Sequence, residues 1–224
     1  EIAPSDWSSD VCSSDLESHA FGIVQRAGIE PVADHQPLVF PMTYDAEKLG
    51  KAWLKTAQTV LPWLQAGQDV LFLVEGDAST YATFGHLART VKSLDERIST
   101  PVIAGINAFT AAGAMVGQPL AEQDDTMAVV PAAYGVSMLP RLLHDFDTLV
   151  LMKVKPVLDE LIDWLMKHGL LGEAHFVEKV GAEDERSVSG DALLDLRGQK
   201  VSYLSLVIVR QAPKIGRASC RERV

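Results

Sequence analysis

VLFLVEGDASTYATF, Val70 to Phe84, passes from an unbroken apolar run, through a polar loop built on Gly76, into residues of helical spacing. Val70 to Val74 is apolar at consecutive rather than alternate positions, which predicts a strand covered on both faces, the habit of parallel sheets. Phe84, Leu87, Ala88, Val91 and Leu94 then follow the three- and four-residue spacing of a helix that begins near Tyr81. Strand, loop and helix in this order form the unit of α/β folds. In open sheets such loops gather backbone and polar groups around a ligand at the carboxyl ends of strands. Gly76 admits a close backbone approach. Asp77, Ser79 and Thr80 suit the cap of a helix start equally well, and the two readings are compatible because a helix start offers free amides.

Outward from this stretch the pattern repeats. PLVF from Pro37, PVIAG from Pro101, MAVVP from Met127, TLVLM from Thr148 and YLSLVIV from Tyr203 read as further strands. Leu49, Trp53, Val60 and Leu64 mark a helix that stops before Gly67, with a kink or break predicted at Pro62. Leu158, Leu161, Ile162 and Leu165 mark another, ending at Gly169. A second junction follows PVIAG, where Asn107 can cap a helix whose first turns, AFTAAGAM, carry mostly small side chains. That face suits either a flat ligand or close packing on a sheet. The polar QPLAEQDD, Gln118 to Asp125, predicts a domain boundary near Gly117 to Gln123. The expected architecture is α/β in two domains, residues 17–119 and 120–214. Each is a mostly parallel or mixed sheet flanked by helices.

The two ends are of another character. DWSSDVCSSDL, Asp6 to Leu16, and IGRASCRERV, Ile215 to Val224, resemble translated sequencing adapters, so residues 1–16 and 215–224 are set aside as non-native. Cys12 and Cys220, the only cysteines in the chain, fall in those ends. The body therefore has no disulfide framework, cysteine zinc site or thiolate nucleophile, which fits a reducing cytoplasm. It carries 25 acidic and 17 basic residues, a balance of −8, without a basic run, which argues against a nucleic-acid partner. No apolar run approaches the roughly 18 to 20 residues of a membrane span, so a soluble protein is expected. The histidines, at 19, 35, 86, 144, 168 and 175, lack the paired spacing of a metal site, and no metal is expected.

EGDASTYATF, GINAFTAAGAMVGQPL, MAVVPA, LVLMKV, FVEKVGAEDER and YLSLVIVR resemble, in order, the motifs of the tetrapyrrole methyltransferases. PLVFPMT, Pro37 to Thr43, is similar to the branch that methylates precorrin-2 at carbon 20, and the resemblance spans nearly all of Glu17 to Arg210. It implies two α/β domains holding S-adenosyl-L-methionine between them, a tetrapyrrole substrate and a cytoplasmic homodimer. The cofactor positions it implies are Glu75, Gly76, Asp77, Thr80, Asn107, Ala108, Met152 and Val180. Two departures stand out. The family's opening strand and its GxGPGDP turn have no counterpart in this sequence, and the resemblance then implies an incomplete first domain that lacks one wall of the substrate cleft. Ala104-Gly105-Ile106-Asn107 stands where relatives have proline, glycine and then serine or threonine, and Asn107 can still cap the helix.

Methyl transfer from a sulfonium to an electron-rich carbon asks for alignment more than for acid or base help. Asp77 and Tyr81 are the candidates for a proton-handling or orienting role, with capping and packing as the other reading. Lys153, Lys179 and Arg186 are candidates for the substrate's carboxylates, or else ordinary surface charges. Overall similarity leans to a metal-free substrate over the cobalt-bearing one of the related route. The rival from another class is a fragment that binds the cofactor without catalysis.

Overall fold

Thr148 to Met152, the apolar run TLVLM, forms a strand with both faces covered, and the second half of the chain is built outward from it. In the computed structural model, residues 19–29, 36–41, 43, 45–132 and 135–211 are described. The two end segments with Cys12 and Cys220, together with His35 and Met42, lie outside them. The chain divides into two units, 1–107 and 108–224.

The second unit comprises α4 (Ala108–Val116), β1 (Met127–Pro131), α5 (Leu139–Asp145), β2 (Thr148–Met152), α6 (Leu158–Lys167), β3 (Ala174–Glu178), β4 (Arg186–Ser189) and β5 (Ser205–Arg210). Its sheet runs β1-β2-β5-β3-β4, with β1 and β2 parallel and the other pairs antiparallel. Alternate residues of the consecutive apolar runs serve opposite faces. Leu149, Leu151, Phe176, Val207 and Val209 pack with α5 and α6, while Val150, Val177, Leu206 and Ile208 pack with α4. All four residues of the predicted α6 stripe are buried. Gly169, at φ 68°, ends that helix with Leu170 N donating to Leu165 O and Gly169 N to Met166 O, as a left-handed residue after a helix allows.

The division between the units falls between Asn107 and Ala108, ahead of the polar loop that sequence marks as the boundary. Helix α4 sits with the second unit because Ala112 packs on Val150, Val177 and Ile208. Its small residues serve close helix-to-sheet packing. The polar loop is fastened to the sheet: Arg210 donates through Nη1 to Pro119 O at 2.8 Å and through Nη2 to Glu122 and Asp125.

In the first unit, α1 (His19–Arg26), α2 (Ala46–Gln65) and α3 (Phe84–Leu94) are helical. Pro62 does not break α2. It lies in the last turn, where its missing N–H removes a single intrahelical bond. Asp45 caps the other end by accepting Glu47 N and Lys48 N at 3.0 and 3.1 Å. Helix α3 starts at Phe84, later than the apolar spacing suggests. Tyr81 is left-handed at φ 53°, and a turn from Thr80 N to Asp77 O precedes it.

The runs at 37–40, 70–74 and 101–105 form no ladder among the described residues, which corrects the strand expectation for this unit. An apolar run records which faces are to be covered, whereas a strand also needs a partner in the hydrogen-bonding direction. Leu71 and Ile103 remain 76% and 84% exposed. An open apolar groove of about 300 Å³ lies among Leu64, Phe72, Leu87, Val91, Ile98 and Ile103.

Thr148 Oγ1 is buried and has no hydrogen-bond partner among the described residues. A buried hydroxyl left unbonded costs about 1–3 kcal/mol, so Thr148→Val is expected to stabilise the protein by about 1 kcal/mol in urea unfolding. A loss of stability would show that the hydroxyl is satisfied in solution.

Candidate functional site

The loop that follows Val70–Val74 is organised by one carboxylate. Asp77 is only 8% exposed. Its Oδ1 accepts the backbone N–H of Ser79 at 2.9 Å and the Ser79 hydroxyl, and its Oδ2 accepts Gly105 N at 2.8 Å. The Ser79 hydroxyl, followed by the Gly105 and Ser79 N–H groups, holds this carboxyl below its ordinary pKa. With three donors on two oxygens, it ties the first junction loop to the second. It does not cap α3, whose N-cap is Thr83.

The two loops meet backbone to backbone. A Cβ at Gly105 would lie 2.1 Å from Gly76 O and 2.9 Å from Gly76 C, so no side chain fits there. Around this contact are Glu75, whose carboxylate lies 3.1 Å from His19 Nδ1, and half-buried Thr80. Gly76 is left-handed at φ 70°, and Tyr81 is 53% exposed. Asn107 closes this unit, and Ala108 opens α4 in the next.

In the second unit the carboxyl ends of β2 and β3 flank the start of β5, so Met152, Lys153, Lys179 and Val180 share one edge of the sheet. Lys153 and Lys179, at φ 59° and 52°, are left-handed without being glycine, a strained conformation that calls for a compensating role. Lys179 N donates to Leu204 O at 2.8 Å, and its Nζ to Asp184 Oδ2 at 2.5 Å. Arg186 turns to Glu178, with Nε and Nη2 at 2.9 and 2.8 Å from Oε1. Burial pushes the half-buried Tyr203 phenol, just before β5, above its ordinary pKa.

Residues 19–193 match the profile of the Tetrapyrrole (Corrin/Porphyrin) Methylases. The chain belongs to this family. Over 189 residues it is 30% identical to a precorrin-2 C(20)-methyltransferase from a Sinorhizobium species, covering 81% of this chain and 75% of that one. It is 28% identical to the cobalamin biosynthesis protein CobIJ of Mycobacterium tuberculosis, again over 81% of this chain. It spans only 36% of the length of that protein. Among solved structures, the cobalt precorrin-4 methyltransferase CbiF overlays with a TM-score of 0.54 at 18% identity, over 70% of each chain, a likeness of fold.

Tetrapyrrole methylases use S-adenosylmethionine. The residues of the first unit fit such a group chemically. Gly76, Ala78, Ser79 and Thr80 make a loop of small side chains beside the exposed carboxylate Glu75, suited to backbone contacts and to hydroxyl donors. The structure brings Glu75, Gly76, Asp77 and Thr80 together with Gly105, and separately brings Met152 and Val180 to one sheet edge. Sequence reasoning missed Glu178. The only signal was an acid ending the apolar run of FVEK, and its pairing with Arg186 depends on strand register. Among the described residues no cluster of three or more potential metal ligands occurs, and no helix is long and apolar enough to cross a membrane.

Proposed function

We propose that this chain carries the S-adenosylmethionine-dependent methylation of precorrin-2 at carbon 20, giving precorrin-3A in cobalamin biosynthesis. The observation that carries this reading is the Asp77 clasp. It holds against each other the two loops on which the family resemblance puts Glu75, Gly76, Asp77, Thr80, Asn107 and Ala108. The similarity to a precorrin-2 C(20)-methyltransferase supports the choice of carbon.

When bound, S-adenosylmethionine supplies an electrophilic methyl group on a cationic sulfur. The protein's task is alignment and exclusion of water, worth up to about 7–11 kcal/mol in well-oriented reactions. In this reading Glu75 accepts hydroxyl groups of the cofactor, Gly76 and Thr80 contact it through the backbone, and the family resemblance adds Asn107 and Ala108. Met152 and Val180 offer it apolar contact. Asp77 acts through geometry, because its oxygens are already engaged. Tyr81, largely exposed at the loop's end, is the candidate for orienting the substrate. Lys153 offers its ammonium group to the substrate's carboxylates, and Lys179, paired with Asp184, and Arg186, paired with Glu178, contribute less to them.

The test is incubation with precorrin-2 and methyl-labelled S-adenosylmethionine, followed by mass spectrometry and NMR of the product. Label at carbon 20 is expected, and label at another carbon, or none, overturns the reading. A homodimer is part of the same proposal, and light scattering at micromolar concentration checks it.

A further inference from the structure

Among the described residues Asp77 and Glu178 are the acidic residues buried as whole residues. Both lie in segments that the sequence marks for the cofactor, EGDAST and FVEKVG. A buried charge is costly unless it is paired and hydrogen-bonded, and apolar replacements of a buried ion pair are often as stable or more so. What such a pair adds is a defined geometry.

Glu178 holds more than Arg186. Its Oε2 accepts Ser202 N at 2.8 Å, across 24 residues of chain. The turn that begins there is bonded throughout: Leu204 N donates to Ser202 Oγ at 3.1 Å, the Ser205 hydroxyl to Ser202 O at 2.8 Å, and Ser205 N to Tyr203 O at 2.8 Å. Leu204 O in turn accepts Lys179 N, which fixes the left-handed Lys179 immediately after Glu178. Arg186 neutralises the carboxylate from β4, holds Gln199 Oε1 at 3.3 Å and lies 5.9 Å from the Phe176 ring centroid. The hydrogen bonds therefore run in a closed circuit from Glu178 through Ser202 and Leu204 to Lys179.

We infer that Glu178 is a positioning residue. Through Ser202 and Arg186 it fixes the Ser202–Leu204 turn and so holds Lys179, Val180 and Tyr203 at the sheet edge that receives the cofactor. The inference rests on the cofactor reading of that edge. It assigns Glu178 no contact with cofactor or substrate. In this respect Glu178 does in the second unit what Asp77 does in the first, where a carboxylate that follows an apolar run accepts the backbone N–H of a distant loop.

The double variant Glu178→Leu with Arg186→Leu tests it, because it removes both charges together and leaves no unpaired ion. Its melting temperature is expected to stay within a few degrees of the parent. Calorimetric affinity for S-adenosylhomocysteine is expected to fall about tenfold, the scale of a modest misplacement of binding groups. The Lys179 amide should exchange faster with deuterium, a change that loss of a merely structural ion pair would not produce at equal stability. Glu178→Gln, which keeps the side chain's size, is the second variant and decides the matter if the first does not fold; about threefold weaker binding is expected. Parental affinity in either folded variant overturns the assignment alone. A parent protein that binds no S-adenosylhomocysteine overturns the cofactor reading of this edge and the assignment with it.

Discussion

Gly105→Ala is expected to lower affinity for S-adenosylhomocysteine roughly a hundredfold and to destabilise the protein by about 3 kcal/mol, the upper end of the cost of overpacking. Gly105 does not need glycine for its torsion angles, since it is not among the positive-φ glycines. It needs the space. The added Cβ would meet Gly76 O at 2.1 Å and Gly76 C at 2.9 Å, and both are backbone atoms that cannot swing aside as the end of a side chain would. To admit the methyl group the two loops must part, which also stretches the 2.8 Å bond from Gly105 N to Asp77. The proposed contacts of Glu75, Gly76 and Thr80 move with the loop. Calorimetry and urea unfolding give the two readings. Gly50→Ala is the control, because its Cβ meets open space within α2 and should stabilise by about 0.5–1 kcal/mol. Parental affinity in Gly105→Ala would mean that the loop contact has no part in binding.

Asp77→Ala separates the two roles open to this carboxylate. As the clasp between the loops, its removal frees the N–H groups of Ser79 and Gly105, and affinity for S-adenosylhomocysteine should fall about thirtyfold, the scale of losing charge-assisted hydrogen bonds. The rate at saturating cofactor should change by less than about threefold. As a general base, its removal would instead lower the rate by about 10²–10⁴ while leaving cofactor affinity in place. Its pH dependence has a definite sign. The Ser79 and Gly105 donors lower the folded pKa of Asp77, so its stabilising contribution is complete above the usual carboxylate value of about 4 and is lost as pH falls through the lower folded value. The stability difference between parent and Asp77→Ala should therefore be constant near neutral pH and shrink below about pH 4 in urea titrations. A difference that persists unchanged into acid would show that the lost contacts do not depend on the ionised carboxylate.

Much of the second unit was legible from local pattern. Consecutive apolar residues in MAVVP, TLVLM and YLSLVIV named β1, β2 and most of β5, because a strand packed on both faces cannot alternate with polar residues. The α6 stripe and its glycine stop were legible for the same reason, since the period of the apolar residues is the period of the helix. VEGDAST is legible as a loop after an apolar run, and the ordered motifs carry the resemblance to the family whose profile the chain matches.

Other features depend on contacts between segments far apart in the chain. The same consecutive pattern that made TLVLM a paired strand left Val70–Val74 and Pro101–Gly105 without a ladder among the described residues. Apolarity specifies burial of a face, whereas pairing requires another backbone alongside. The allegiance of α4 to the second unit came from Ala112 fitting the sheet, which outweighed the polar loop behind it. Asp77 reaches Gly105 across 28 residues, and Glu178 meets Arg186 because β3 and β4 align in one register. The sequence by itself determined the apolar strands and helix stripe of the second unit, the α/β class and the family, because these follow from local periodicity and ordered motifs. Only the tertiary structure decided which backbone donors Asp77 and Glu178 hold, because a hydrogen-bond partner is chosen by where the folded chain returns.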